Sequence, residues 1–356
     1  MENIIKYFQL YFTKGLGNRS LKAVIEHFGS IDNVFNSSFE EVSKVVGEKT
    51  AKLILEKSFN YRKEAEAELK KVEKHHINLL LYESDEYPQN LKNIPDPPLL
   101  LYIKGAIPDN YGVSIVGTRK PSNYGRKIAY LISKRICENG ICVISGGAYG
   151  IDTIAHKSAL ENNGKTIAVL GTGINISYPA TNKRLFEKIA ENGALISEFP
   201  IDTKPSKFNF PLRNRIVAGL SEATVVVEAP EKSGSLITAK LANEYGKPVF
   251  AVPSNIDNLN GKGCNLLIKE GAIPLIDFEI IFNEIPYLSK YKINTNLIEL
   301  SEEETLFLQT IEGEAYLDEI VEKLDLSFEQ AFNLIFNLEM KGIIKNENGL
   351  IKRLVY

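Results

Sequence analysis

Four short turns hold the residue types that could do chemistry. They are Gly117-Thr118-Arg119, Ser145-Gly146-Gly147-Ala148-Tyr149-Gly150-Ile151-Asp152, Gly171-Thr172-Gly173 and Ser233-Gly234-Ser235. Glycine lets consecutive backbone N–H groups converge on one oxyanion, and a helix that starts just after the turn adds its positive end. The same glycines also serve tight strand-to-helix turns. Three such turns along one sheet edge, with Arg119 beside them, point to a rim that binds phosphate. A fifth segment, Lys204-Pro205-Ser206-Lys207-Phe208-Asn209-Phe210-Pro211-Leu212-Arg213-Asn214-Arg215, interleaves cations with aromatics. Cations hold phosphates, and a ring stacks any base, at about 1–3 kcal/mol per base. That composition suits single-stranded nucleic acid. One of Phe208 and Phe210 is expected to pack inward.

Other chemistries find little support. There is no G-x-x-x-x-G-K-[ST] for an ATP loop. Gly171-Thr172-Gly173 is followed by Ile176 where a dinucleotide fingerprint needs its third glycine. Neither H-E-x-x-H nor G-x-S-x-G occurs. No cofactor and no metal are expected. Cys137 and Cys142 lack metal-ligand spacing and read as core. Asp152 and His156 lie four apart on one helix and so share a face. They form either a metal or acid–base pair, or, as the favoured reading, a helix-start carboxylate with a local hydrogen bond.

The elements that must position these turns follow from hydrophobic patterning. Val113–Val116, Ile141–Ile144, Thr166–Leu170, Ala194–Ser197, Thr224–Val227 and Pro248–Val252 are short apolar runs separated by helical patterns. Such runs predict a parallel sheet covered on both faces, a doubly wound α/β fold with ligands at the carboxyl ends of its strands. Glu198 and Glu228 fall at two of those ends. Residues 1–75 read as a helical domain. Its turns Gly15-Leu16-Gly17-Asn18-Arg19 and Gly47-Glu48-Lys49-Thr50-Ala51 partly match helix-hairpin-helix turns, and simple helix packing is the other reading. Residues 76–110, with Pro88, Pro95, Pro97 and Pro98, read as a connector with strand-like pieces at Leu79–Tyr82 and Leu99–Ile103. Residues 111–285 form the sheet domain and 286–300 a linker. Residues 301–356 predict three helices and a β-hairpin, the winged-helix pattern.

The 356 residues hold 42 Lys+Arg against 45 Asp+Glu, a net charge of −3. Near-neutrality excludes a histone-like protein but not a local basic groove. Residues 111–156 carry six cations against two acids, and residues 201–215 four against one, giving +4 and +3. Residues 301–330 carry ten acids against Lys323, giving −9. The presumed recognition helix near Ser327–Lys341 holds Glu329, Glu339 and only Lys341, so protein contact suits it better than a major groove. Three cysteines, no apolar run long enough for a membrane span and no signal-like start predict a cytoplasmic protein.

From Val113 to about Asp277 the chain resembles the DprA/Smf family of bacterial DNA-processing proteins. The matching residues are Ile115–Arg119, Ser145–Asp152 with Ala155-His156, Thr166–Gly171, Tyr178-Pro179, Leu195–Glu198, Phe210–Arg215, Ser233–Ala239, Val252-Pro253, Gly263 and Asn265. The connector from Tyr87-Pro88 through Pro97-Pro98 to Gly105 also fits. The flanks resemble that family's helical N-terminal domain, SAM or helix-hairpin-helix in type, and its winged C-terminal domain.

The resemblance implies an extended Rossmann-like domain that binds single-stranded DNA without catalysis. It also implies a homodimer that protects incoming strands in natural transformation and loads the recombinase RecA. On this chain Arg119 would hold a phosphate, and Gly146 and Gly147 would offer N–H groups to another. Lys207 would contact the strand, Phe210 would stack a base, and Arg213 and Arg215 would line the groove. Ser145, Gly150, Gly171, Asn214, Ser233, Gly234, Ser235 and Lys240 complete the expected nucleic-acid-binding set. Gly147 departs from the leucine of many relatives. A dimer face is expected around Ile273–Ile281. The alternative is a nucleotide-cleaving, phosphoribohydrolase-like enzyme with Glu198 or Glu228 acting on a nucleoside monophosphate. Its P-G-G-x-G-T-x-x-E loop is not intact around Ser233-Gly234-Ser235.

Overall fold

A computed structural model of the chain describes residues 2–109, 112–285, 288, 301–311, 314–324, 326–340, 343–347 and 349–353. The chain divides into two units, Met1–Lys292 and Ile293–Tyr356.

The first unit is mixed α/β around one mostly parallel sheet. Its strands are β1 (Asn78–Leu81), β2 (Leu100–Gly105), β3 (Gly112–Val116), β4 (Cys142–Ser145), β5 (Thr166–Leu170), β6 (Ala194–Ser197), β7 (Ala223–Val226), β8 (Val249–Ala251) and β9 (Ile273–Pro274). Their order across the sheet is β1-β2-β6-β5-β4-β3-β7-β8-β9. From β6 to β9 every pairing is parallel. β3, β4, β5 and β7 are fully buried along their lengths, which is why they read as unbroken apolar runs. Chain order reverses between β3 and β7, so the sheet's switch point lies at their carboxyl ends.

The segment read as a connector supplies the sheet's antiparallel edge. β1 pairs with β2 and β2 with β6, with Leu80 opposite Leu101 and Ile103 opposite Ile196. Helices at Glu2–Phe12, Asn18–Phe28 and Arg62–Lys74 meet this edge through Phe8 against Tyr102, Glu26 accepting from the Tyr82 hydroxyl and Glu68 accepting from Tyr102. Phe8, Leu10, Leu101, Tyr102, Leu170 and Ile216 belong to one buried core. Buried Glu68 ties the layers, accepting from the Tyr102 hydroxyl at 2.9 Å and the Ile201 N–H at 2.7 Å.

In the second unit, helices Glu302–Gln309, Leu317–Leu324 and Phe328–Met340 accompany β10 (Glu314–Tyr316), β11 (Ile344–Glu347) and β12 (Leu350–Arg353). The strands pair antiparallel in the order β10-β12-β11. Ile311, Ile320, Leu334, Leu338 and Ile351 sit in a core of their own. The expected linker lies outside the described residues except for residue 288, as do Lys341 and Gly342 of the expected helix and hairpin. No helix among the described residues is long and apolar enough to cross a membrane.

Candidate nucleic-acid interface

A cleft of about 820 Å³ opens at the switch point. Arg119 and Lys120 enter it from the end of β3, Gly146 and Ala148 from β4, and Ser233–Ser235 from the turn after β7. The helix Asn209–Leu220 supplies Phe210, Arg213 and Asn214, and Lys207 comes from the turn before it. Backbone bonds fix the turns. The Thr118 N–H donates to the Glu228 carbonyl at 2.7 Å and the Ile151 N–H to the Thr118 carbonyl at 3.2 Å. Gly150, at φ +79°, lets the helix Ile151–Glu161 start against Thr118 and Arg119, where a Cβ would overlap both.

An aromatic surface forms one part of the cleft. The Phe210 ring lies on Gly171, where any Cβ would meet it. It faces Tyr178 at 5.5 Å between centroids, and the Arg119 guanidinium stands 5.5 Å from its centre. Arg119 is exposed, with no ion pair among the described residues. Phe208 is turned outward, 70% exposed, under the Lys207 ammonium at 5.2 Å. So of the two rings it is Phe210 that packs, half-buried, while Phe208 stays free.

Arg213 lines the cleft as expected, but its guanidinium is turned to backbone carbonyls. Its Nη1 donates to the Gly146 and Val169 carbonyls, and burial pulls its guanidinium down to about 10. It thus clamps the ends of β4 and β5 beneath the cleft. One amide of the Ser145–Asp152 turn is also engaged. Ala148 N–H donates to Asp152 Oδ2 at 3.2 Å. Gly146 lines the cleft, whereas Gly147 packs beneath Phe186. Burial raises the Asp152 carboxyl, with Arg213 and the Ala148 amide opposing.

Ser145, Arg215 and Lys240 of the expected set fall outside the cleft. Ser145 is buried and donates to the Ile115 carbonyl at 2.6 Å, tying β3 to β4. Arg215 is buried in ion pairs with Glu198 and Asp96, on another side of its helix. Two helical steps rotate a side chain by about 200°, so Arg213 and Arg215 cannot both face one groove. Lys240 extends from Gly234–Glu244 toward Glu244, away from the cleft. Asn214 Nδ2 holds the Gly234 carbonyl at 3.2 Å, and Ser233 Oγ caps that helix by accepting the Ser235 N–H at 3.3 Å. Lys232 and Asn260 line the cleft without having been singled out, and Tyr178, named only among the family-matching residues, lines it too. Lys232 had a local signal, a cation directly before the Ser-Gly-Ser turn.

No group of three His, Cys, Asp or Glu side chains able to hold a metal occurs among the described residues. Thr166 Oγ1 donates to the Val143 carbonyl at 2.7 Å, so it accepts from His156 Nδ1, also at 2.7 Å. The buried Nε2 then has no partner among the described residues. Burial, aided by Arg213, pulls His156 from its ordinary 6.5 down to about 3. A folded value below the unfolded one means that the unfolded chain binds the extra proton. The neutral imidazole's contribution is therefore complete above pH 6.5 and falls as pH drops toward 3. Its share of the slope is about 1.4 kcal/mol per pH unit in that window. Denaturant unfolding of His156→Gln should show a correspondingly shallower loss of stability between pH 6.5 and 4 than the parent chain. The cysteines are buried, and burial pushes Cys137 and Cys264 up to about 12.

Fold and site together define a mixed α/β protein with a mostly parallel sheet and an open, cationic, aromatic-lined cleft at its switch point. The chain belongs to the DNA recombination-mediator protein A family, whose model matches residues 78–286. It is 40% identical over 279 residues to Protein Smf of Synechocystis, covering 76% of this chain and 68% of that one. It is 42% identical over 213 residues to the DNA processing protein DprA of Bacillus subtilis, covering 59% and 72%. The X-ray structure of DprA from Streptococcus pneumoniae superposes with a TM-score of 0.70 at 35% identity, covering 79% of this chain and 98% of that one. DprA from Helicobacter pylori, a protein described with a single-stranded DNA binding mode, gives 0.53 at 31%, covering 61% and 98%.

Proposed function

We propose that the cleft binds single-stranded DNA without catalysis, with Phe210 as the stacking platform and Arg119 and Lys207 as the phosphate contacts. The observation that carries this reading is the Arg119–Phe210–Tyr178 cluster. A cation over a half-buried ring in an open cleft holds a phosphate next to a stacked base regardless of sequence. Lys120 and Lys232 extend the cationic rim. The Helicobacter relative's binding mode supports the same ligand. Against the phosphoribohydrolase alternative, neither Glu198 nor Glu228 lines the cleft, and each is engaged elsewhere, with Arg215 and with the Ser122 N–H at 2.8 Å.

On this reading the chain is a cytoplasmic homodimer that protects processed strands and loads RecA during transformation and recombination. Its domains are a SAM or helix-hairpin-helix-like helical part (1–75), an edge segment (76–110), an extended Rossmann-like domain (111–285), a linker (286–300) and a winged-helix domain (301–356). The helix Phe328–Met340 turns Phe328, Phe332 and Phe336 to solvent beside Glu329 and Glu339, a surface suited to protein rather than phosphate. Ile276, exposed within Ile273–Ile281, is the place to disrupt the dimer. Titration of labelled oligo(dT) and of a duplex of equal length tests the core of this reading. Tight, salt-sensitive binding that prefers the single strand is expected, and equal affinity for duplex would reject it.

A further inference from the structure

The residue that left the groove leads to a second site. Arg215 lines a separate hollow of about 480 Å³, where the N-terminal helices meet the antiparallel edge of the sheet. Tyr11, Leu16, Leu99, Phe199 and Leu212 give it an apolar, partly aromatic wall. Its polar features are unspent. The helix Asn18–Phe28 begins there with Gly17 as its cap and no side chain closing it. Its first backbone bonds run from Ser20 and Leu21 to the Gly17 carbonyl. The N–H groups of Asn18 and Arg19 have no partner among the described residues, and the exposed Arg19 side chain has no ion pair there. Arg215 is buried, yet its Nη1 lacks a partner. Glu198 takes Arg215 Nη2 and Asn18 Nδ2, the latter at 2.9 Å, both through Oε1. No partner of Oε2 occurs among the described residues.

An uncapped helix start beside a free guanidinium asks for an anion. A flat apolar hollow with a carboxylate acceptor asks for an aromatic ring that bears N–H donors. One molecule class supplies both, namely a nucleotide. We propose that this hollow is a second nucleotide subsite. The phosphate sits on the Asn18 and Arg19 amides and the Arg19 guanidinium. The base enters among Tyr11, Leu16 and Phe199, with an N–H edge on Glu198 Oε2. The helix Asn209–Leu220 separates the two sites, presenting Phe210 and Arg213 to the cleft and the half-exposed Leu212 to the hollow. A strand leaving the cleft over Leu212 reaches the hollow, so the occupant is a residue of that strand or a free nucleoside monophosphate. The strand form rests on the proposed single-stranded DNA binding.

The test is a length series of labelled oligo(dT), from roughly 6 to 30 nucleotides, read by fluorescence anisotropy on the full chain. It compares the parent chain, Arg19→Glu, Leu16→Trp to fill the hollow, and Arg119→Ala. Circular dichroism checks each variant's fold. The first two variants should lose about tenfold in affinity for long strands and nothing for the shortest, whereas Arg119→Ala should weaken binding at every length. Equilibrium dialysis with dTMP and dGMP forms the second arm. Nucleotide bound by the parent chain and lost in both hollow variants identifies a free nucleotide as the occupant. Unchanged long-strand affinity in both hollow variants, together with no such nucleotide binding, overturns the subsite. So does an equal loss at all lengths in Arg19→Glu. A parent chain that binds no oligo(dT) at any length would instead reject the proposed function, with the dialysis arm still deciding the hollow.

Discussion

Replacing Arg213 with methionine should cost about 3–5 kcal/mol of stability, the largest single effect expected in the sheet domain. The Gly146 and Val169 carbonyls would lose their donor, and Asp152 would lose the guanidinium that offsets its buried charge. Methionine keeps most of the apolar stem, so the loss reports the polar clamp and not a void. Urea unfolding followed by circular dichroism measures it. A change under 1 kcal/mol would mean that the carbonyls and Asp152 are satisfied some other way. Oligo(dT) affinity should fall too, because the clamp sets the β4 and β5 ends on which the cleft is built, and it should recover if osmolyte restores the fold.

Removing the ring of Phe210 should weaken oligo(dT) binding by about five- to a hundredfold, the range of one lost stacking contact. Stability should change far less, since the ring is half-buried over Gly171. Arg119 stands over that ring, so the two residues should couple. In a double-mutant cycle, Phe210→Ala and Arg119→Ala together should cost less than the sum of the single losses. Strict additivity would show that cation and ring act on separate nucleotides.

The sheet was legible because its signals are local. β3, β5 and β6 coincide with apolar runs to within a residue, and the glycine turns fall at carboxyl ends as the doubly wound pattern requires. The β1–β2 edge was harder to read, because antiparallel pairing with β6 is made across about a hundred residues and the intervening prolines suggest a boundary. β9, two residues long and ending in Pro274, has no period to detect. In the site, composition identified the cationic and aromatic segment but could not orient it. Arg213, Asn214 and Arg215 look equivalent in a string, yet helical rotation sends one to the floor of the cleft and another to a separate hollow. Asp152 was readable as a helix-start carboxylate. That its Oδ2 would take the Ala148 amide depends on a turn through Gly147 and Gly150, both at positive φ, which only the fold displays.

The most direct test of the central claim is the salt dependence of oligo(dT) binding in the parent chain, Arg119→Ala and Lys207→Ala. If these cations hold phosphates, the parent's log affinity falls linearly with log salt, and each variant loses affinity and about 0.7 from that slope. Unchanged affinity and slope in both variants would contradict a phosphate-binding cleft at the switch point.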